Sequence, residues 1–184
     1  MRIISGKYKD RNIISMQGSR TRPTSDKVRE SIFDVLASRH YIQETVVLDL
    51  FGGTGALGIE ALSRGAAEAV FVDKNPDSAA IIRKNLSFVS EPARVYNTDW
   101  KVAVKKLTGR KFDLIFIDPP YGLKIESDVI SHIISADILA ADGCMIIEHS
   151  SDNNIGFDAD IFNVYQKRYS GTTISYVSYK KEGT

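Results

Sequence analysis

A chain of 184 residues, 43% hydrophobic and 26% charged, has the size and balance of a globular protein that buries a full core. Its single cysteine, Cys144, excludes an internal disulfide and fits a reducing compartment, and no run approaches the roughly 18 apolar residues that span a bilayer. The net charge of +1 conceals an asymmetry: residues 1–29 carry a local +6 from eight Lys/Arg against Asp10 and Asp26, leaving −5 for the remainder, as in a basic arm on a weakly acidic body.

In chain order, RIISGKYKDRNII reads as a small hairpin whose early charges give no sign of a secretory leader. Residues 25–39 read as a helix with Val28, Ile32, Phe33 and Leu36 on its inner face and Thr24 or Ser25 as N-cap. TVVLDL (45–50) is a buried-strand pattern, followed by a glycine-rich turn and a helix over 56–63 that Gly65 can end. EAVFVD (68–73) is a second strand, with a helix over 76–88 opened by Pro76. ARVYN (93–97), a helix over 100–107, FDLIFID (112–118), a helix over 126–139 and CMIIEH (144–149) continue the alternation. FNVYQKRYSG and TTISYVSYK read as an antiparallel hairpin at the sheet edge. Strands alternating with helices predict an α/β fold built on a parallel sheet with right-handed crossovers. Neither a repeat nor a linker interrupts the chain, so 1–184 is expected to be one domain, with 1–24 as a basic hairpin-and-loop extension.

Two motifs carry chemistry. The first, Asp49-Leu50-Phe51-Gly52-Gly53-Thr54-Gly55-Ala56-Leu57-Gly58, lies between a strand and a helix, where glycines let the backbone approach a ligand. Gly53, Gly55 and Gly58 match the spacing of a dinucleotide fingerprint, and Asp73 lies 20 residues beyond Gly53, so a nicotinamide-dependent oxidoreductase is one reading. Asp49 opposes it, because a carboxylate before the glycines repels a pyrophosphate. S-adenosylmethionine carries a sulfonium and an ammonium instead. Asp49 can attract the ammonium, Phe51, Gly52, Gly53 and Gly55 can shape the turn around the ligand, and Asp73 can accept from both ribose hydroxyls. Asn75 stands beside Asp73, and Asp99, next to Trp100, is placed for the adenine amino group or as a helix N-cap.

The second motif, Asp118-Pro119-Pro120-Tyr121, ends the fourth strand, so it is expected in the same crevice as the first. An exocyclic amine on a base is a weak nucleophile that needs orientation more than a strong base. The Asp118 carboxylate and the Pro119 carbonyl can each accept one of its N–H groups, the two prolines pre-set the carbonyl direction, and Tyr121 can stack on the base.

These residues resemble the class I amino-methyltransferases. Arg22-Pro23-Thr24-Ser25-Asp26-Lys27-Val28-Arg29-Glu30, the run from Leu48 to Ala66, Asp118-Pro119-Pro120-Tyr121, the opening Met1-Arg2-Ile3-Ile4-Ser5-Gly6 and Tyr169-Ser170-Gly171-Thr172-Thr173 together resemble the RsmD family over essentially the whole chain. The family commonly has Ala-Gly-Ser-Gly where this chain has Gly52-Gly53-Thr54-Gly55. The resemblance implies a Rossmann-like class I methyltransferase fold: a mostly parallel seven-stranded sheet with an antiparallel C-terminal hairpin, helices on both faces and a small N-terminal β-hairpin. It implies guanine-N2 methylation of small-subunit ribosomal RNA with S-adenosylmethionine as donor, in the bacterial cytoplasm, on an assembled or partly assembled 30S subunit. The Arg22-Pro23-Thr24 loop and Arg29 then become candidate contacts to the RNA, with Lys7, Lys9 and Arg11 as phosphate contacts. A DNA adenine-N6 or protein glutamine-N5 methyltransferase and a non-catalytic RNA-binding factor are the alternatives. Asp rather than Asn at position 118 disfavours the glutamine enzymes, and the chain has no room for a DNA-recognition region. His40, His132 and His149 show no metal-ligand spacing, so no metal is expected. Cys144 and the C-terminal tyrosines are expected to pack in the sheet, no membrane contact is expected, and nothing demands more than a monomer.

Overall fold

The computed structural model describes residues 1–15, 26–39, 41–120 and 122–181. Strands β1 (Val46–Asp49), β2 (Glu68–Asp73), β3 (Ala93–Asn97), β4 (Phe112–Ile117), β5 (Leu139–Ser150), β6 (Phe162–Tyr169) and β7 (Thr172–Tyr179) form one sheet of order β3-β2-β1-β4-β5-β7-β6. The first five are parallel, while β7 pairs antiparallel with both β5 and β6. The chain leaves β1 toward β2 and β3 on one side and returns to β4 and β5 on the other. The carboxyl ends of β1 and β4 therefore flank the point where strand order reverses, the place where open α/β sheets bind ligands.

The apolar runs are fully buried strands because helices cover both faces. Residues Leu48, Val70, Ile115 and Met145 face α4 (Trp100–Lys106) and α5 (Glu126–Ser135), packing with Val104, Val129 and Ile133. Their neighbours Val47, Phe71, Leu114 and Ile146 face the opposite way. They pack with Phe33 and Leu36 of α1 (Asp26–Ser38), Ile59 and Leu62 of α2 (Ala56–Ser63) and Ile82 of α3 (Pro76–Asn85). The period-2 alternation of the strands thus sorts side chains into two separate core layers. Cys144 is buried on the α1 side, and burial pushes its thiol up to about 12.

Three local expectations shift. The helix expected to 139 ends at Ser135, because Asp137 adopts a left-handed φ of 51° and Leu139 already belongs to β5. That makes β5 twelve residues long, with an irregular register against β4 between Phe112 and Leu114. The helix over 76–88 is α-helical to Asn85 and closes with a 3-10 turn, Leu86–Phe88. The N-terminal segment closes antiparallel, yet only as a single bridge between Arg2 and Asn12 rather than two strands. Its backbone turns toward α2 instead: the Ile4 and Ser5 N–H groups donate to buried Glu60 at 2.8 and 3.0 Å, and Lys7 N–H to Ser63 O at 2.7 Å. Gly6 makes this possible, since a Cβ there would lie 1.8 Å from Ser63 O. The basic arm is consequently docked on the body, with Met1 at the wall of the cavity described next.

Candidate active site

Above the carboxyl ends of β1 to β5 lies a cavity of about 600 Å³, in the range of ligand sites of cofactor size. Its first half sits over β1, β2 and β3. The turn after β1 is anchored by Gly52 N–H to Val72 O at 2.8 Å, and a Cβ on Gly52 would fall 2.8 Å from Ile82 Cδ1. Gly53 and Gly55 take φ of 56° and 79°, a left-handed region that favours glycine. Gly53 N–H donates to one Asp73 oxygen and Asn75 N–H to the other, each at 2.8 Å. Asp73 is therefore held rigidly at the cavity wall, with lone pairs left to accept from a ligand. The side chains of Asn75 and Asp99 cap α3 and α4 through Asp77 N–H at 2.8 Å and Lys101 N–H at 2.9 Å. Trp100, whose ring lies 6.4 Å from that of Phe51, adds an aromatic wall.

Asp49 is the electrostatic centre of this half. It is 3% exposed and accepts one hydrogen bond, from Gly58 N–H at 3.2 Å. Burial pushes its carboxyl up to about 7, opposed by the Gly58 hydrogen bond and reinforced by the nearby charge of Asp73. A carboxylate so placed gains most from a cation brought into the cavity.

The second half sits over β4 and β5. Asp118, half-buried, and Pro119, buried, follow β4 directly and line the same cavity, with Pro120 exposed at its edge. Leu123, also lining the cavity, is 50% exposed in a turn where Gly122 and Lys124 both have positive φ. Glu148 reaches the cavity from the end of β5.

A family model described as "Conserved hypothetical protein 95" matches residues 1–179. The chain belongs to this family. It is 36% identical, over the full length of both chains, to the Bacillus subtilis protein named "Putative rRNA methyltransferase YlbH". It is 32% identical to "Ribosomal RNA small subunit methyltransferase D" of Haemophilus influenzae, over 83% of this chain and 80% of that one. The solved structure of "Putative methyltransferase yhhF from Escherichia coli" superimposes with a TM-score of 0.87, at 28% identity and 98% coverage of both chains. This family member is a methyltransferase, and the donor implied by its sequence motifs is S-adenosylmethionine. The cavity suits that molecule: a buried carboxylate for its ammonium, a fixed carboxylate in Asp73 for a diol, and a backbone turn without a Cβ at Gly52.

Of the residues singled out in the sequence, the cavity gathers Asp49, Phe51, Gly52, Gly53, Asp73, Asn75, Asp99, Trp100, Asp118, Pro119 and Pro120. Gly55 is not on its wall; it packs against Ile59 and Ile82 and starts α2. Arg29, expected as a contact to RNA phosphate or the target nucleotide, is a buried residue at the cavity rather than a surface charge. It is 1% exposed and shares the inner face of α1 with Ile32, Phe33 and Leu36. The spacing 29, 32, 33, 36 already carried that signal. Its Nη2 donates to Arg2 O and to Asp26 at 3.2 Å, Nε stands 4.0 Å from buried Glu60, and the guanidinium borders the cavity from within. Lys7 is engaged at 2.7 Å with Ser90 and Glu91, Arg11 lies over the Phe88 ring at 5.6 Å, and Lys9 is exposed. None of these three lines the cavity. Arg22, Pro23, Thr24 and Tyr121 lie outside the described residues. Sequence reasoning passed over Glu148, although a carboxylate at the end of a parallel strand is the signal that had picked out Asp49 and Asp73.

Proposed function

We propose that this protein methylates the exocyclic N2 of a guanine in small-subunit ribosomal RNA, acting in the cytoplasm as a monomer on an assembled or partly assembled 30S subunit. The observation that carries the reading is the opening of Asp118 and Pro119 into the same cavity as Asp49, Gly52, Gly53 and Asp73. The names of the relatives agree with it in substrate class. Among the described residues no helix is long and apolar enough to cross a membrane.

In this reading Asp49 holds the donor's ammonium, Asp73 accepts from its ribose hydroxyls, and Asp99, Asn75, Phe51 and Trp100 enclose its adenosine end. When bound, S-adenosylmethionine supplies an electrophilic methyl group on a sulfonium that departs as a neutral thioether. The Asp118 carboxylate and the Pro119 carbonyl accept the two N2 hydrogens and turn the nitrogen lone pair toward that methyl. As the N–C bond forms and the C–S bond breaks, N2 gains positive charge, which the Asp118 carboxylate stabilises and relieves by accepting one proton. Pro119 and Pro120 offer no N–H to compete for the base. Tyr121 stacks on the flipped guanine, and Arg22, Pro23, Thr24 and Lys9 meet the RNA backbone.

The experiment is methyl transfer from labelled S-adenosylmethionine to small subunits from a strain lacking this gene, followed by nucleoside analysis. Label in N2-methylguanosine is expected. Label in N6-methyladenosine, or in DNA or protein but not in subunits, overturns the substrate assignment and leaves a methyltransferase of another specificity.

A further inference from the structure

Ile147 of β5 pairs with Ile117, the last residue of β4; Glu148 follows the first and Asp118 the second. That register brings the two carboxyl-bearing residues to neighbouring positions at the carboxyl end of β4. Both residues line the cavity together with Pro119. A ligand that offers adjacent donors can meet both carboxylates at once. Among the four RNA bases, guanine alone sets a ring N–H (N1) beside an exocyclic amine (N2). Adenine and cytosine present an amine beside a bare ring nitrogen, and uracil has a ring N–H but no amine.

We propose that Glu148 is the guanine-selecting residue of this enzyme. Its carboxylate accepts the guanine N1–H while Asp118 and the Pro119 carbonyl accept the N2 hydrogens. Adenine or cytosine in the same pose turns a ring-nitrogen lone pair against the Glu148 carboxylate, and a site built to receive an N–H rejects a base that lacks it. Glu148 takes no part in methyl or proton transfer; it is a specificity and positioning residue. The assignment rests on the base-amine reading of the cavity given above, and it supplies a reason for guanine that lies in the residues themselves.

2-Aminopurine separates the two roles, because it keeps the N2 amine and carries a bare N1. Small subunits are reconstituted with guanine or 2-aminopurine at the methylated position, once nucleoside mapping has located it. Wild-type enzyme is expected to prefer guanine in kcat/KM by about 10- to 100-fold. In Glu148→Gln the amide can turn its NH2 toward a bare N1. The preference is then expected to narrow by about tenfold or more, with guanine turnover reduced and S-adenosylmethionine affinity by calorimetry unchanged. A Gln variant that keeps the wild-type preference, or slows both bases equally with intact affinity, overturns the assignment. So does a loss of S-adenosylmethionine affinity, which makes Glu148 a cofactor contact. If wild-type enzyme forms no N2-methylguanosine on ordinary subunits, the functional reading itself fails and this assignment with it, a result visible before any variant is made.

Discussion

The two halves of the cavity are built differently. Over β1, β2 and β3, the acidic side chains are held by backbone N–H groups: Asp49 by Gly58, Asp73 by Gly53 and Asn75, Asp99 by Lys101. Over β4 and β5, the wall is Asp118, two prolines without N–H groups, a half-exposed Leu123 in a left-handed turn, and Glu148. The first half is preorganised for a ligand of constant shape. The second presents Asp118, Pro119 and Glu148 to an incoming base. Separate walls for donor and acceptor in one cavity suit a reaction whose substrate is one nucleotide of a large RNA.

The contrast makes unequal demands on the two halves. Asp118→Ala is expected to cost turnover about a hundredfold to a thousandfold while S-adenosylmethionine affinity by calorimetry stays intact. Equal loss of both would merge the halves into one site. Asp73→Ala is expected to do the reverse, weakening S-adenosylmethionine binding about 10- to 100-fold, with turnover recovering at saturating donor. The third expectation concerns Asp49, whose carboxyl burial lifts to about 7. Its folded form holds a proton more tightly than the unfolded chain does. Its contribution to stability is therefore full below the ordinary aspartate value and lost as pH rises through about 7. Thermal melts of the ligand-free enzyme should fall over that window, and Asp49→Asn should flatten the fall. S-adenosylmethionine affinity should move the opposite way, rising by up to about tenfold per pH unit toward neutrality as the carboxylate ionises. Calorimetric affinities that stay flat with pH would remove Asp49 from contact with the ammonium. The smallest effects belong to the arm. Lys9→Ala should reduce the slope of log affinity for RNA against log salt by about one. Lys7→Ala, whose ammonium is already engaged by Glu91 at 2.7 Å, should change it less. Equal slopes for both variants would show that the Glu91 pair does not withhold Lys7 from RNA.

The donor half was the more legible in the sequence, for a physical reason. Its determinants are local: a glycine spacing after one strand, and single acids at the ends of the next two. The same locality made the order of strands and helices readable, because apolar period and turn residues act within a few positions. The end of α5 was misplaced because Asp137 accepts a left-handed φ that its neighbours do not announce. The N-terminal segment was expected to be a hairpin, whereas Gly6 turns the backbone onto Ser63 and Glu60 of a helix more than fifty residues away. Arg29 was read from its charge, while its place on the inner stripe of α1 with Ile32, Phe33 and Leu36 carried the stronger signal.

By itself the sequence determined the two motifs, the α/β alternation and the acids of the donor half, since each depends on residue type at fixed short spacing. Only the tertiary structure decided that buried Arg29 meets Arg2 and Glu60, that the basic arm is docked on α2, and that Glu148 lies near Asp118 at the cavity. Those three outcomes depend on register and packing between segments distant in the chain. Strand pairing, helix docking and the satisfaction of a buried carboxylate such as Glu60 are settled by the assembled core rather than by neighbours in sequence.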